Sequence, residues 1–357
     1  MSGKVGISWR GQFEKIGARQ LLPYSVVNST NNTMSLRELG KTGAQVSEIG
    51  FGAWAIGGSW GETVEENTAL DALRAAADAG TTFYDTADVY GSGRSESLIG
   101  EFLRERSGEN FFVATKMGRA SDFAPTYEVM ERTARASAKR LGVEALDLVQ
   151  LHCLPLDVMR GEVWDNFEKL KSAGLIKNYG ASVESVEEAL FCIGNTGVST
   201  LQVIFNIFRQ KLVEELFPSA QDASVGIIAR VPLASGLLTG KFSRNHHFAA
   251  DDHRNFNANG ESFNAGETFA GVPFEQGVEL AQKIHGIVGE GAPLAEVALR
   301  WILDFPAVST VIPGAKNPKQ ARQNVGASGL APLSPDIHSQ LSELYANEIA
   351  PIIRGVY

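Results

Sequence analysis

Residues 83–91 read FYDTADVYG. The run 82–87 favours extended backbone, the following DVYG carries turn-forming residues, and SESLIGEFLRER beyond it (95–106) spaces its apolar residues three and four apart, as a helix does. A strand, a polar loop and an amphipathic helix together form the unit of a parallel sheet, because parallel strands need a covering crossover. Read outward in both directions, the pattern repeats. Strands are expected at 46–52, 82–87, 111–117, 146–152, 178–183, 201–207, 226–231 and 309–313, with helical stretches such as ENTALDALRAAADAG (66–80), EVMERTARASAKRLG (128–142) and EVWDNFEKLKSAG (162–174) between them. Eight such units close a barrel, so the expected class is α/β, a (β/α)8 TIM barrel formed by one domain over residues 34–357.

Two stretches exceed a minimal barrel. A Gly-, Asn- and Phe-rich segment at 242–273 is long enough to be a lid over a site, and a helix is expected near 334–349, beside the barrel mouth. LRELGKTGAQVSEIG (36–50) fits a hairpin plugging the opposite end. Residues 1–33 carry four basic residues against one acidic, end in NSTNNT and have no sustained period, so they are read as an extension outside the fold, with Met34 as a natural start.

The chain is 44% apolar and 20% charged, and lacks any run of the roughly eighteen apolar residues a membrane span needs. A net charge of −9 without a basic stripe argues against nucleic acid. Only Cys153 and Cys192 are present, which points to a reducing cytoplasm and to buried, inert thiols. HHFAADDH (246–253) matches no metal-ligand spacing and reads as a solvated loop, so no metal is expected.

In a barrel of this kind functional groups project from the carboxyl ends of the strands. The second expected strand ends in Asp85 with Tyr90 in the next loop, the third ends in Lys116 and the fourth in His152. An ammonium beside a phenol lowers its pKa from about 10, and a buried ammonium itself needs a carboxylate. Asp85, Lys116 and Tyr90 meet both requirements, and His152 is placed to hydrogen-bond a substrate oxygen. The set suits general acid catalysis, with Tyr90 protonating an alkoxide as hydride reaches a carbonyl carbon.

These motifs resemble the aldo-keto reductase superfamily from about residue 35 to residue 324. FYDTADVYG, FFVATKMG (111–118) and LDLVQLHC (146–153) are similar to the segments bearing its catalytic Asp, Tyr, Lys and His. The resemblance implies NADP(H) as cofactor, with NAD(H) as the alternative, and a carbonyl or alcohol as small-molecule substrate. It implies nicotinamide contacts from Ser182 and Gln202, with Val183 replacing the family's Asn, and further cofactor contacts from Ala53 and Trp54. IIARVPLASGLLTGKF (227–242) resembles the pyrophosphate loop, implying Pro232, Leu233, Ala234, Ser235 and Lys241; Arg230 stands where many members stack an aromatic ring on the nicotinamide. VIPGAKNPKQARQN (311–324) resembles the adenosine-phosphate site, implying Gly314, Lys316, Gln320 and Asn324, with Lys316 or Arg322 facing a 2′-phosphate.

GSGRSESLIG (91–100) imitates a dinucleotide fingerprint, but Glu96 stands where the third glycine belongs. The same scaffold serves potassium-channel β subunits as a cofactor-binding module, which is the competing function; the full set of four residues favours an enzyme. Reversible hydride transfer also leaves an alcohol or sugar dehydrogenase open. Phe248, Phe256, Phe263 and Phe269 in the lid are read as anchors or as pocket walls.

Overall fold

The computed structural model describes residues 34–58 and 63–357; the reading of residues 1–33 lies outside them. An antiparallel hairpin, β1 (Leu36–Glu38) and β2 (Gln45–Ser47), precedes eight parallel strands. These are β3 (Phe51–Gly52), β4 (Phe83–Asp85), β5 (Phe112–Met117), β6 (Leu146–His152), β7 (Ile176–Ser182), β8 (Thr200–Ile204), β9 (Gly226–Arg230) and β10 (Val308–Val311), each paired with the next in chain order except across the seam. Parallel bridges Ile49–Val311 and Gly52–Gly314 join the last strand to the first, closing a (β/α)8 barrel.

Outer helices follow the strands: α1 (Glu66–Asp78), α2 (Arg94–Glu105), α3 (Tyr127–Leu141), α4 (Val163–Ser172), α5 (Val186–Asn195), α6 (Phe217–Asp222), α7 (Phe274–Val288), α8 (Leu294–Leu303) and α9 (Pro318–Gly326), with α10 (Pro335–Leu344) after the eighth unit. Local chemistry sets their ends. Ser185 and Glu188 form a reciprocal capping box on α5, and α3 starts on the Thr126 hydroxyl and stops at Gly142, whose φ is 71°. Among the described residues no helix is long and apolar enough to cross a membrane.

The first expected strand needs correction. Val46 pairs with Arg37 in the hairpin, so 46–52 is divided between β2 and β3 rather than forming one barrel strand. The sixth ends at Ile204 rather than residue 207, where the chain turns through an Asn206–Arg209 bridge. The expected hairpin plug is present: Leu39 and Val46 pack with Phe83, Ala114, Leu148, Ile228 and Ile312 into one apolar cluster. Gly40 sits at φ 51°, and a Cβ there would lie 2.2 Å from the Gly226 backbone nitrogen, so only glycine lets the hairpin approach this closely.

Side chains alternate across a strand, so the residues two places beyond that apolar floor face inward as well. From Phe83, Ala114 and Leu148 the step leads to Asp85, Lys116 and Gln150, and on β6 one further step reaches His152. The barrel interior is therefore apolar at the hairpin end and polar at the other.

Candidate active site

At the carboxyl ends of the strands, Asp85, Lys116, Tyr90 and His152 are brought together. Lys116 Nζ donates to Asp85 Oδ2 at 2.6 Å, to the Thr86 carbonyl at 2.9 Å and to Tyr90 Oη at 3.2 Å. The Tyr90 and His152 rings stand edge to face with centroids 5.9 Å apart. Lys116 and Asp85 are almost wholly buried, so their charges compensate each other in a poorly screened setting. Below them Gln202 Nε2 donates to Asp85 Oδ1 at 2.7 Å, and Gln150 Nε2 reaches the same oxygen at 3.3 Å. Gln202 thus braces Asp85. Gln150 was not singled out from sequence, although it lies two residues before His152 on the same face of β6.

The electrostatics depart from expectation at Tyr90. Burial pushes its phenol above the ordinary value, and the Lys116 ammonium pulls it down without overcoming burial. The hydroxyl therefore stays protonated at neutral pH, where a lowered pKa was expected. Burial alone would lower Lys116, but Asp85 and Tyr90 together hold the amine above its usual value. His152 is held well below its ordinary value by burial and by the charges of Arg119, Lys116 and Arg230, so it stands as a neutral imidazole.

Tyr90 is positioned by the glycine after it. At φ 61° a Cβ on Gly91 would meet the Gly57 carbonyl oxygen at 2.0 Å, so the Trp54–Gly57 turn can settle against this loop. Ala53 donates its N–H to the Asp85 carbonyl at 2.8 Å. The Trp54 ring lies 6.5 Å from Tyr90 and 4.7 Å from His253, forming a wall beside the phenol. His253 is thus packed rather than solvated, and burial lowers its pKa to about 4. Glu96, the residue that spoiled the dinucleotide fingerprint, is buried against Arg140 at 2.6 Å and the Thr115 hydroxyl at 2.5 Å.

Asp88, in the loop that carries Tyr90, has a buried Oδ1 with no hydrogen-bond partner among the described residues. Burial first, and then the charge of Glu96, raises its pKa to about 6. A carboxyl raised on folding contributes stability that is complete below its unfolded value of about 4 and is lost as pH rises through 6. Asp88→Asn should therefore be more stable than the parent by about 2 kcal/mol above pH 6.5, with the gap closing toward pH 4. Paired thermal melts across that range test it, and a gap independent of pH would refute it.

Further out, Arg230 is held by the lid, and Cys153 departs from expectation. Arg230 Nη1 lies 2.8 Å from Glu267 of the lid, and Nη2 donates to the Val183 carbonyl at 3.2 Å. Arg119 Nη2 reaches Glu267 at 2.9 Å and Glu184 at 3.1 Å. Burial would raise Glu267, but both arginines outweigh it and hold the carboxyl below its usual value. Cys192 is buried, as expected, whereas Cys153 is only partly so; its Sγ lies 3.5 Å from the Ser182 hydroxyl and 3.7 Å from Arg230. Cys153, Glu184 and Glu267 come within 4.8 Å of one another, but both carboxylates are already taken by arginine.

The remaining expected contacts lie in two segments. After β9, Val231, Ala234 and Ser235 adopt φ of 53°, 47° and 54°, left-handed strain that non-glycine residues accept mainly where a loop must hold a ligand. Pro232 and Leu233 lie within this turn, and Lys241 at its far end is exposed. The Ser235 hydroxyl also accepts from the Phe269 N–H at 3.1 Å, tying turn to lid. After β10, Gln320 Oε1 accepts from the Lys316 N–H at 2.8 Å and Asn324 donates to the Gly314 carbonyl at 3.1 Å, bracing a turn at the start of α9 with Lys316, Lys319 and Arg322 around it. Cations around a helix N-terminus suit phosphate, so the donor set fits a dinucleotide. Phe248 and Phe269 pack with Phe242 and Phe274 and anchor the lid, while Phe256 and Phe263 pair edge to face. The tail beyond α10 reaches the lid through Arg354, which donates to the Gly271 carbonyl at 3.2 Å.

Relatives share this arrangement's chain. The Aldo-keto reductase YhdN of Bacillus subtilis (strain 168) is 32% identical over 298 residues, covering 80% of this chain and 86% of its own length. A probable voltage-gated potassium channel subunit beta of Oryza sativa subsp. japonica is 28% identical over 322 residues, covering 84% and 93%. Among solved structures, the glycerol dehydrogenase AKR11B4 from Gluconobacter oxydans superposes with a TM-score of 0.73 at 25% identity, covering 90% of this chain and 98% of its own. The model of the Aldo/keto reductase family matches residues 48–346, from just before β3 into the segment after α10, so the chain with this barrel and this mouth belongs to that family.

Proposed function

We propose that residues 34–357 act as one NADPH-dependent reductase of aldehydes or ketones, with Tyr90 as proton donor. The observation that carries this reading is the contact of the half-buried Tyr90 hydroxyl with Lys116, itself held by Asp85. When bound, a reduced nicotinamide supplies hydride to the carbonyl carbon. Tyr90 Oη–H then gives its proton to the oxygen that becomes alkoxide, and the Lys116 ammonium stabilises the phenolate left behind. Neutral His152 orients the same oxygen by donating a hydrogen bond. Ser182, Ala53, Trp54, the strained turn 231–236 and Lys241 hold the dinucleotide, while Gly314, Lys316, Gln320, Arg322 and Asn324 take its adenosine end. Arg230 closes the nicotinamide side, and Gln202 acts through Asp85. The absence of disulfides is in keeping with a reducing cytoplasm.

A carbonyl panel run with NADPH and with NADH tests the reading. Lys316→Ala is expected to weaken NADPH about tenfold and NADH far less, because only the former carries the 2′-phosphate an ammonium would meet. Equal weakening would move that contact to Arg322. The glycerol dehydrogenase neighbour favours asking for the oxidative direction as well, with NADP+ and polyols. Tight cofactor binding without turnover in either direction would favour a binding module like the channel subunits.

A further inference from the structure

The proton-donor chemistry gives no part to the charged cluster at the mouth, of which only Arg230 also borders the proposed cofactor site. Arg119 lies two residues beyond β5, Glu184 two beyond β7, and Arg230 ends β9, so all three sit on rigid barrel ends. Glu267 alone comes from the lid, in a short turn (Ala265–Glu267) followed by Phe269 and Ala270 at left-handed φ of 54° and 58°. Its Oε1 faces Arg119 at 2.9 Å and its Oε2 faces Arg230 at 2.8 Å. One carboxylate held by two converging guanidinium groups is how a binding site takes an anionic ligand.

Charge and hydrogen bonding both point past a simple latch. Arg209, 1% exposed, packs on the Tyr357 ring at 4.2 Å and donates to the Val356 carbonyl, and among the described residues it forms no ion pair. It lies against the same turn, since a Cβ on Gly266 would come within 2.3 Å of its guanidinium. Three arginines (Arg119, Arg209, Arg230) thus face two carboxylates (Glu184, Glu267), and withdrawal of Glu267 leaves three against one. The Nε of Arg230 is buried with no acceptor among the described residues, as is that of Arg209. A lid that opened for a neutral substrate would strand these buried cations, which is costly; an anionic substrate would restore the lost compensation. The cluster is also close to the proposed reaction centre, because Arg119 and Arg230 are among the charges that keep His152 neutral.

We infer that Arg119 and Arg230 form a carboxylate subsite, that Glu267 is the lid's own occupant of it, and that the substrate is a carbonyl compound bearing a carboxylate. The inference rests on the reductase reading and names its substrate class. No bond is made or broken at the subsite: the anion exchanges with Glu267, and the carbonyl end is reduced as above.

The test compares 4-carboxybenzaldehyde with 4-nitrobenzaldehyde and with methyl 4-formylbenzoate, using the full chain and NADPH. The acid is expected to exceed its ester in kcat/KM by about tenfold or more, chiefly through KM. Arg119→Gln should remove most of that preference, and Glu267→Gln should strengthen it by lowering KM for the acid alone. An acid-to-ester ratio unchanged in Arg119→Gln, or acid and ester weakened alike in Glu267→Gln, would overturn the subsite and leave Glu267 a latch. If no aldehyde is turned over, the reductase reading fails by itself, and benzoate titrated calorimetrically into parent and Glu267→Gln decides the subsite. Tighter binding to the variant upholds it; no binding to either protein overturns it.

Discussion

Tyr90→Phe is expected to lower kcat for 4-nitrobenzaldehyde by about 10²- to 10⁴-fold while leaving the affinity for NADPH within a few-fold of the parent. The substitution removes only the hydroxyl that contacts Lys116 Nζ at 3.2 Å. The ring itself is kept, with its neighbours Trp54 and His152, so the fold has no reason to change. The loss should appear in kcat, because the proton is needed only as negative charge develops on the substrate oxygen. Decay of NADPH absorbance gives the rate and quenching of protein fluorescence gives the affinity. A variant within tenfold of the parent rate would remove Tyr90 from its proposed role.

The second large effect concerns Lys116. Lys116→Met leaves Asp85 buried with the amides of Gln150 and Gln202 but without its cation. Breaking one side of a buried pair costs about 3–5 kcal/mol, because the remaining charge is uncompensated. The denaturation midpoint should fall accordingly, and turnover should be lost with it. Adding Asp85→Asn separates the two losses: a neutral amide can still accept from Gln202, so most of the stability returns while the activity does not. Recovery of turnover in the double variant would mean that the ammonium serves only to balance Asp85. Failure to recover stability would mean that the pair is not isolated from its surroundings in the way the structure suggests.

Both predictions rest on residues that were legible in the sequence, and the reason is geometric. A strand of period two that ends in a charged residue announces which end of the barrel carries chemistry, so Asp85, Lys116 and His152 were readable, and β6 has the bounds its pattern gives. Gln150 was readable by the same alternation and was passed over. Where alternation stops, the signal stops. Arg119 and Glu184 lie past the ends of their strands, and Glu267 lies in a loop without any period, so only the folded chain brings them to Arg230. At the first strand the pattern misled, because Val46 suits a hairpin as well as a barrel. The direction of the Tyr90 shift was also out of reach of sequence, since spacing shows a neighbouring cation but not the depth of burial that outweighs it.

The hairpin wedged into one end of the barrel has a kinetic consequence. Among the described residues, Leu39 and Val46 seal that end, so molecules that meet over Tyr90 have to come from the other. Molecules that must meet inside cannot enter from opposite sides, and whatever settles deepest is trapped until the traffic above it has cleared. Arrival and departure are therefore expected to be ordered, the last to enter being the first to leave.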